Sequence, residues 1–141
     1  MTRVITAGQD GTAKIWNSST GECLHTLSCP SPINEYNVCS AAFSADGSRV
    51  VTGTYAGLTG AGSPVTIWDS STGVRELTLA GHYWGVSWAV YSADGDRIVT
   101  AADDKTAKIW NSSTGQCELT LRGHTEAINT CEFSPIADLA F

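Results

Sequence analysis

Charge is scarce in this sequence. Only 16% of its 141 residues are Asp, Glu, Lys or Arg, against roughly 25% in an average soluble domain. The 8 basic residues form no cluster and are outnumbered by 14 acidic ones, giving a net charge of −6. Phosphate backbones and anionic membrane surfaces are recognised through a concentrated positive field, so neither nucleic acid nor a membrane is an expected partner. Long apolar runs are missing too. No window of about 20 apolar residues could span a bilayer, and the opening MTRVITAGQD has no apolar core of a secretory signal. A cytoplasmic protein is the expectation, with a nuclear one as the variant. The five cysteines, Cys23, Cys29, Cys39, Cys117 and Cys131, form no C-x-x-C pair. An odd count without that spacing suits reduced thiols in a reducing compartment, with neither disulfides nor a metal site. No cofactor is expected. The chain length allows at most one domain, and a 42% hydrophobic content supports a packed core rather than disorder.

What the sequence does have is a repeat. TAKIWNSSTG at 12–21 recurs letter for letter at 106–115, and a degraded copy, VTIWDSSTG, stands at 65–73. The three tryptophans Trp16, Trp68 and Trp110 are therefore separated by 52 and 42 residues. A second marker, SADG at 44 and 92 with a truncated SP at 134, locates the ten surplus residues: four before Ser44 and six before Trp68. The underlying period is 42 residues. Within it, runs of five to seven residues rich in Val, Ile, Thr and aromatics alternate with turn signals such as ADG, QDG and STG, which reads as four short strands and no helix. Strand a covers Val38–Ser44, Val86–Ser92 and Ile128–Ser134; strand b covers Arg49–Thr54 and Arg97–Ala102. Strand c covers Val65–Asp69 and Thr106–Asn111, and strand d covers Val74–Leu79 and Cys117–Leu121. Strands b, c and d of an earlier period fall near Arg3–Gly8, Thr12–Asn17 and Glu22–Leu27.

Four strands per 40–45 residues, with Gly81-His82 and Gly123-His124 before strand a and Trp68-Asp69 closing strand c, resemble the WD-repeat β-propeller family. Trp16-Asn17 and Trp110-Asn111 carry Asn where that pattern has Asp. The resemblance implies an all-β, partial and open propeller of about three four-stranded antiparallel blades plus one extra strand. Its units are a partial blade at 1–28, a blade with insertions at 29–80, a consensus-like blade at 81–122, and strand a with an irregular tail at 123–141.

The family's hydrogen-bonded tetrad of His, Ser/Thr, Asp and Trp maps in full onto His82, Thr100, Asp104 and Trp110. It maps only in part onto Thr6, Asp10 and Trp16, onto Thr52 and Trp68, and onto His124. His82, Thr100 and Asp104 also spell a hydrolase triad, but the recurrence of Thr and Asp beside Trp16 favours a structural network. No catalytic residue and no enzyme are expected. The glycines of AGLTGAGSP at 56–64 lack the helix N-terminus that a phosphate cradle needs. Asn17-Ser18-Ser19 and Asn111-Ser112-Ser113 read as turns rather than glycosylation sites, and Cys23 and Cys117 as small packing residues.

Alternating strands put the d–a and b–c loops of every blade on one rim, so the insertions at 28–37 and 55–64 share a face. Tyr36, Tyr55, Leu58, Tyr83 and Trp84 would crowd it, and Tyr and Trp are favoured interface anchors. The expected role is a scaffold binding a protein or peptide there; an accessory module of a larger enzyme or signalling protein, and a self-assembling structural protein, are the alternatives. Trp88, within strand a, is expected to pack between blades. Three and a half periods fall short of the 4 to 8 blades that close a propeller. The missing blades are expected from the rest of a longer chain, from a homodimer exchanging strands, or from a partner protein.

Overall fold

The computed structural model describes residues 2–29, 37–55 and 63–135. Every regular element among them is a strand: β1 (Arg3–Ala7), β2 (Thr12–Asn17), β3 (Cys23–Ser28), β4 (Asn37–Phe43), β5 (Arg49–Tyr55), β6 (Val65–Asp69), β7 (Arg75–Leu79), β8 (Val86–Tyr91), β9 (Arg97–Ala102), β10 (Ala107–Asn111) and β11 (Cys117–Leu121). They form three antiparallel sheets, β1-β2-β3, β4-β5-β6-β7 and β8-β9-β10-β11, which are the blades of a partial, open propeller. The predicted and observed strands agree to within a residue or so at their ends, with one exception. Ile128–Ser134 forms no ladder.

The reason is the missing neighbour. A strand exists only through a partner, and the described residues hold no strand b beyond β11 for this segment to join. The segment is nevertheless seated as an inner strand would be. Ile128 N–H donates to the Ala102 carbonyl at 3.1 Å, as Val38 N–H at the start of β4 donates to the Gly8 carbonyl at 3.0 Å. The Ser87 hydroxyl also donates to the Ile128 carbonyl.

The turns repeat with the sequence. After each tryptophan, the side chain of Asn17, Asp69 or Asn111 accepts backbone N–H groups two and three residues on, at 2.8–3.2 Å. An amide oxygen closes this Asx turn as well as a carboxylate oxygen does, which explains why Asn replaces Asp twice without loss of the turn. Gly21, Gly73 and Gly115 finish these turns at φ of 76°, 73° and 76°, a conformation that side chains disfavour.

The core lies between sheets rather than within one. Ala13, Ile15 and Leu27 of the first blade pack against Val38, Val50 and Trp68 of the second. Val51, Val65, Ile67 and Leu79 of the second pack against Val86, Ala89, Ile98 and Trp110 of the third. A small third cluster joins Ala101 and Ala107 to Ile128. Polar ties run across the same boundaries. Arg3, which opens β1, donates to the carbonyls of Gly47 and Ser70 at 2.7 and 3.0 Å and lies over the Phe43 ring. Arg49, which opens β5, reaches the Ser112 carbonyl of the next blade at 3.4 Å and pairs with Glu76 of its own blade at 3.4 Å. Ser40 bonds the backbone of Ala89 in the next blade.

Two expectations are corrected here. Trp88 is the register partner of Ala101, whose side chain faces away from the second blade, and it is 41% exposed; its packing partner would belong to a blade beyond the third. Cys23 and Cys117 are exposed on the outermost strands and donate S–H to the carbonyls of His25 and Leu119 rather than filling the core.

Tyr91 stands in the third blade where Phe43 stands in the second. Its hydroxyl is buried with no hydrogen-bond partner among the described residues, and burial pushes its pKa well above the ordinary range. An unsatisfied buried hydroxyl costs about 1–3 kcal/mol. Tyr91→Phe is accordingly expected to raise the unfolding free energy by about 1 kcal/mol, read as an upward shift of the urea midpoint at unchanged slope.

Candidate functional site

Two assemblies of side chains stand out: a buried polar network in the third blade, and the aromatic rim above it. In the network, Trp110 Nε1–H donates to Thr100 Oγ1 at 2.9 Å. Thr100 Oγ1 lies 2.6 Å from His82 Nε2, and His82 Nδ1 lies 2.8 Å from Asp104 Oδ2. Because an ionised carboxylate can only accept, the neutral imidazole carries its proton on Nδ1 and donates it to Asp104; Nε2 is then the acceptor, and the Thr100 hydroxyl donates to it while accepting from the indole. Asp104 then accepts further bonds from the backbone N–H and hydroxyl of Thr106, at 2.9 and 2.6 Å, and from Tyr83 N–H at 3.3 Å. The chain runs in one direction, with every donor used.

Burial sets the protonation states. Desolvation of the His82 ring outweighs its attraction to Asp104 and holds its pKa below the ordinary value of 6.5, so the imidazole is neutral. For Asp104, burial alone would raise the carboxyl, but the bonds from Thr106 and His82 prevail and lower it. The spacing of Thr100, His82 and Asp104 is that of a nucleophile, base and orienting acid. Thr100, however, is fully buried beneath His82 and Trp110, both themselves buried, so no substrate reaches the hydroxyl. The network ties β9 and β10 to the loop before β8.

The partial sets differ in an informative way. In the first blade Trp16 Nε1–H donates to Thr6 Oγ1 at 2.9 Å, and Asp10 accepts from both Thr12 N–H and Thr12 Oγ1–H, at 3.0 and 2.7 Å, with no imidazole between the two halves. In the second, Trp68 donates to Thr52 at 2.9 Å, and the buried Cys29 thiol stands 3.8 Å from Thr52 Oγ1, on the side where the third blade has its histidine. Desolvation raises that thiol's pKa, and the Thr52 contact offsets only part of the rise. Sequence reasoning missed Cys29, because the insertion before β4 hides its alignment with Gly81-His82. His124 is exposed beside Leu121 and Ile128 and joins no tetrad among the described residues.

On the rim, Tyr36 and Leu58 lie outside the described residues. The other three named aromatics come together. Tyr55, at the end of β5, lays its ring on Gly85: a Cβ there would stand 1.9 Å from Tyr55 Cδ2, so only glycine permits the contact. Tyr83 and Trp84, just before Gly85, are 72% and 46% exposed. Their loop is held from both sides. The Gly85 carbonyl accepts from Asp103 N–H at 2.8 Å, the His82 carbonyl accepts from Ser63 N–H at 3.3 Å, and Tyr83 N–H donates to Asp104. The tetrad thus reaches the rim directly, through one carboxylate. Gly85 was not singled out from sequence, although its position directly after Trp84 in GHYWG was a usable signal. The opposite rim has a cleft of about 380 Å³ between the second and third blades, lined by Asp46, Arg49, Tyr91, Asp94 and Ser112 among others. Its carboxylates are occupied with their own turns: Asp46 accepts from Ser44 and Ser48, and Asp94 from Ser92 and Asp96 N–H.

Antiparallel blades packed face to face and internally pinned by a His–Thr–Asp–Trp relay define a propeller-type repeat protein. The model for the WD domain, G-beta repeat, matches residues 21–58, 73–111 and 115–140, and the chain belongs to that family. The first two matched segments begin at the outermost strand of one blade and run into the next, so the sequence unit straddles two sheets. Among known proteins, the chain is 32% identical over 108 residues to the serine-threonine kinase receptor-associated protein of Gallus gallus, covering 76% of this chain and 27% of that protein. It is 36% identical over 107 residues to WD repeat-containing protein 3 of Mus musculus, covering 74% and 10%. It is 32% identical over 137 residues to the DENN domain and WD repeat-containing protein SCD1 of Arabidopsis thaliana, covering 94% and 10%. The chain spans from a tenth to about a quarter of the length of these relatives.

Replacing His82 by Ala would leave the Thr100 hydroxyl proton without its acceptor in the interior and take from Asp104 its imidazole donor; an expected loss of about 2–4 kcal/mol follows. Asp10→Ala, which opens only an exposed turn, should cost far less in the same urea titration. Acid should act through the same groups. His82 binds its proton less readily folded than unfolded, so its contribution is complete above the ordinary imidazole value of 6.5 and is lost as pH falls below it. Asp104 adds a second loss below the ordinary carboxyl value of 3.8. Unfolding free energies measured from about pH 7.5 to about pH 5 should fall in the wild type and flatten in His82→Ala.

Proposed function

We propose that the chain is a non-catalytic scaffold that binds a protein or peptide segment through the rim bearing Tyr55, Tyr83 and Trp84, in the cytoplasm or nucleus. The observation that carries this reading is the pairing of exposure with rigidity: two large aromatic side chains stand out from a loop whose backbone is tied to the loops on both sides. Aromatic groups held in place lose little freedom on binding, which is what makes Tyr and Trp effective anchors. Ser63, beside the insertion before β6, donates its N–H to the His82 carbonyl on the same rim. An acidic chain with no basic cluster supports a protein partner over nucleic acid. The tetrad supports the scaffold role by taking the one triad-like constellation out of solvent reach.

A second reading, that this is an accessory module within a larger enzyme or signalling protein, draws on one specific observation. The relatives are much longer than the matched region, and one is named for a DENN domain beside its WD repeats.

Peptides selected from a displayed random library on the immobilised chain should lose at least tenfold in affinity against Trp84→Ala, and more against Tyr83→Ala/Trp84→Ala, at unchanged melting temperature. Binders unaffected by either variant but weakened by Asp46→Ala or Asp94→Ala would move the site to the opposite rim.

A further inference from the structure

The two internal blade boundaries carry the same parts at the same positions, yet they use them differently. At the first, the Arg3 guanidinium crosses to the second blade. It donates to the Gly47 carbonyl at 2.7 Å and to the Ser70 carbonyl at 3.0 Å, and its carbon lies 5.1 Å from the centre of the Phe43 ring. The repeat sets Arg49, Gly95, Ser112 and Tyr91 at the corresponding positions of the second boundary. There the arginine is drawn aside: Arg49 makes a longer bond of 3.4 Å to the Ser112 carbonyl and turns to Glu76 of its own strand d rather than to Gly95. The cause is one residue. Cys23 and Arg75 are the register partners of Trp16 and Trp68, so Leu24 stands in the first blade where Glu76 stands in the second, and Arg3 has no carboxylate there to follow.

The cleft of about 380 Å³ on this rim is lined by all four of the corresponding residues. Asp46, Asp94 and Asp96 line it as well, and Arg49 is the one cation among its described lining residues. The turn bonds of Asp46 and Asp94 fall on Oδ1 in both cases, which leaves Oδ2 of each to a further donor. The Ser48 N–H and Ser44 hydroxyl hold the Asp46 carboxyl at about 2, and the Asp96 N–H and Ser92 hydroxyl lower that of Asp94, so both are anionic at neutral pH. Tyr91 brings to the place of Phe43 a ring of the same kind and a buried hydroxyl without a partner among the described residues.

We propose that this cleft binds an arginine side chain presented by a protein partner, seated as Arg3 is seated at the first boundary. The incoming guanidinium lies on the Tyr91 ring, donates to the Gly95 carbonyl and faces Asp46 and Asp94, and the Tyr91 hydroxyl gains a donor. A planar guanidinium offers several donors in a fixed fork and stacks on an aromatic face, which a lysine ammonium does not match. Free arginine is a poorer occupant, because its own carboxylate would enter an acidic cleft. The site lies on the rim opposite Tyr83 and Trp84 and does not rest on the rim-binding reading.

The probe is the peptide acetyl-Gly-Arg-Gly-amide, titrated into the isotope-labelled chain and followed by the backbone amide signals. Saturable shifts are expected at residues 92–96 and 112–113, with the lysine peptide and free arginine each about tenfold weaker. Asp94→Asn and Tyr91→Phe should each weaken the arginine peptide by about threefold without loss of melting temperature. Glu76→Gln, outside the cleft lining, should weaken it as well, because Arg49 released from its pair competes for the same place. Trp84→Ala should leave this binding unchanged, so failure here and failure of the aromatic rim are told apart. Absence of saturable shifts at these residues, equal binding of the lysine peptide or of free arginine, indifference to Glu76→Gln, or dependence on Trp84 would each overturn the proposal.

Discussion

Face-to-face packing of one sheet on the next is the interaction on which everything else in this molecule rests. A four-stranded sheet of 40-odd residues is too thin to have an interior; its central strands are apolar on both faces and need cover on both. Burial of β5 and β6 along nearly their whole length shows the result when cover is present on each side. The chemistry of the repeat follows from that requirement. Large apolar residues occupy the facing positions, while arginine and serine side chains tie the sheets at the margins, where solvent would otherwise enter.

The polar relay of the third blade is a second-order device built inside that packing. Burying Thr100 and His82 between apolar sheets is tolerable only because every donor finds an acceptor, and the terminal acceptor, Asp104, sits where it can also take the Tyr83 N–H. One carboxylate therefore couples the interior of the blade to the loop that displays the aromatic rim. The second blade, with a thiol beside Thr52 in place of an imidazole, has no such coupling, and it is the blade flanked by both insertions.

Much of this was legible beforehand because a repeat read three times corrects its own noise. The tryptophan and SADG landmarks located nearly every strand end to within a residue, and the relay residues were named through the resemblance to the WD-repeat family, position by position. Other features were not legible for definite reasons. Cys29 lies 3.8 Å from Thr52, a contact between residues 23 positions apart that no repeat spacing announces. The fit of Tyr55 on Gly85 joins residues of neighbouring blades that no repeat spacing relates. The arginines at 3, 49 and 97 were visible in phase, but their meaning needed the next sheet to be in place.

The period, the four-strand unit and the turns after each tryptophan are properties of the sequence by itself, because they depend on alternation and on spacing along one chain; the tetrad residues came from the resemblance to the WD-repeat family. Which of those units is completed was decided only by the tertiary structure. Ile128–Ser134 has the composition of a strand and the docking bonds of one, yet it forms no ladder, and Trp88 and Leu121 have the composition of core and stand exposed. Pattern specifies what a residue can pair with; a hydrogen-bonded ladder or a buried side chain also needs the partner to be present in space.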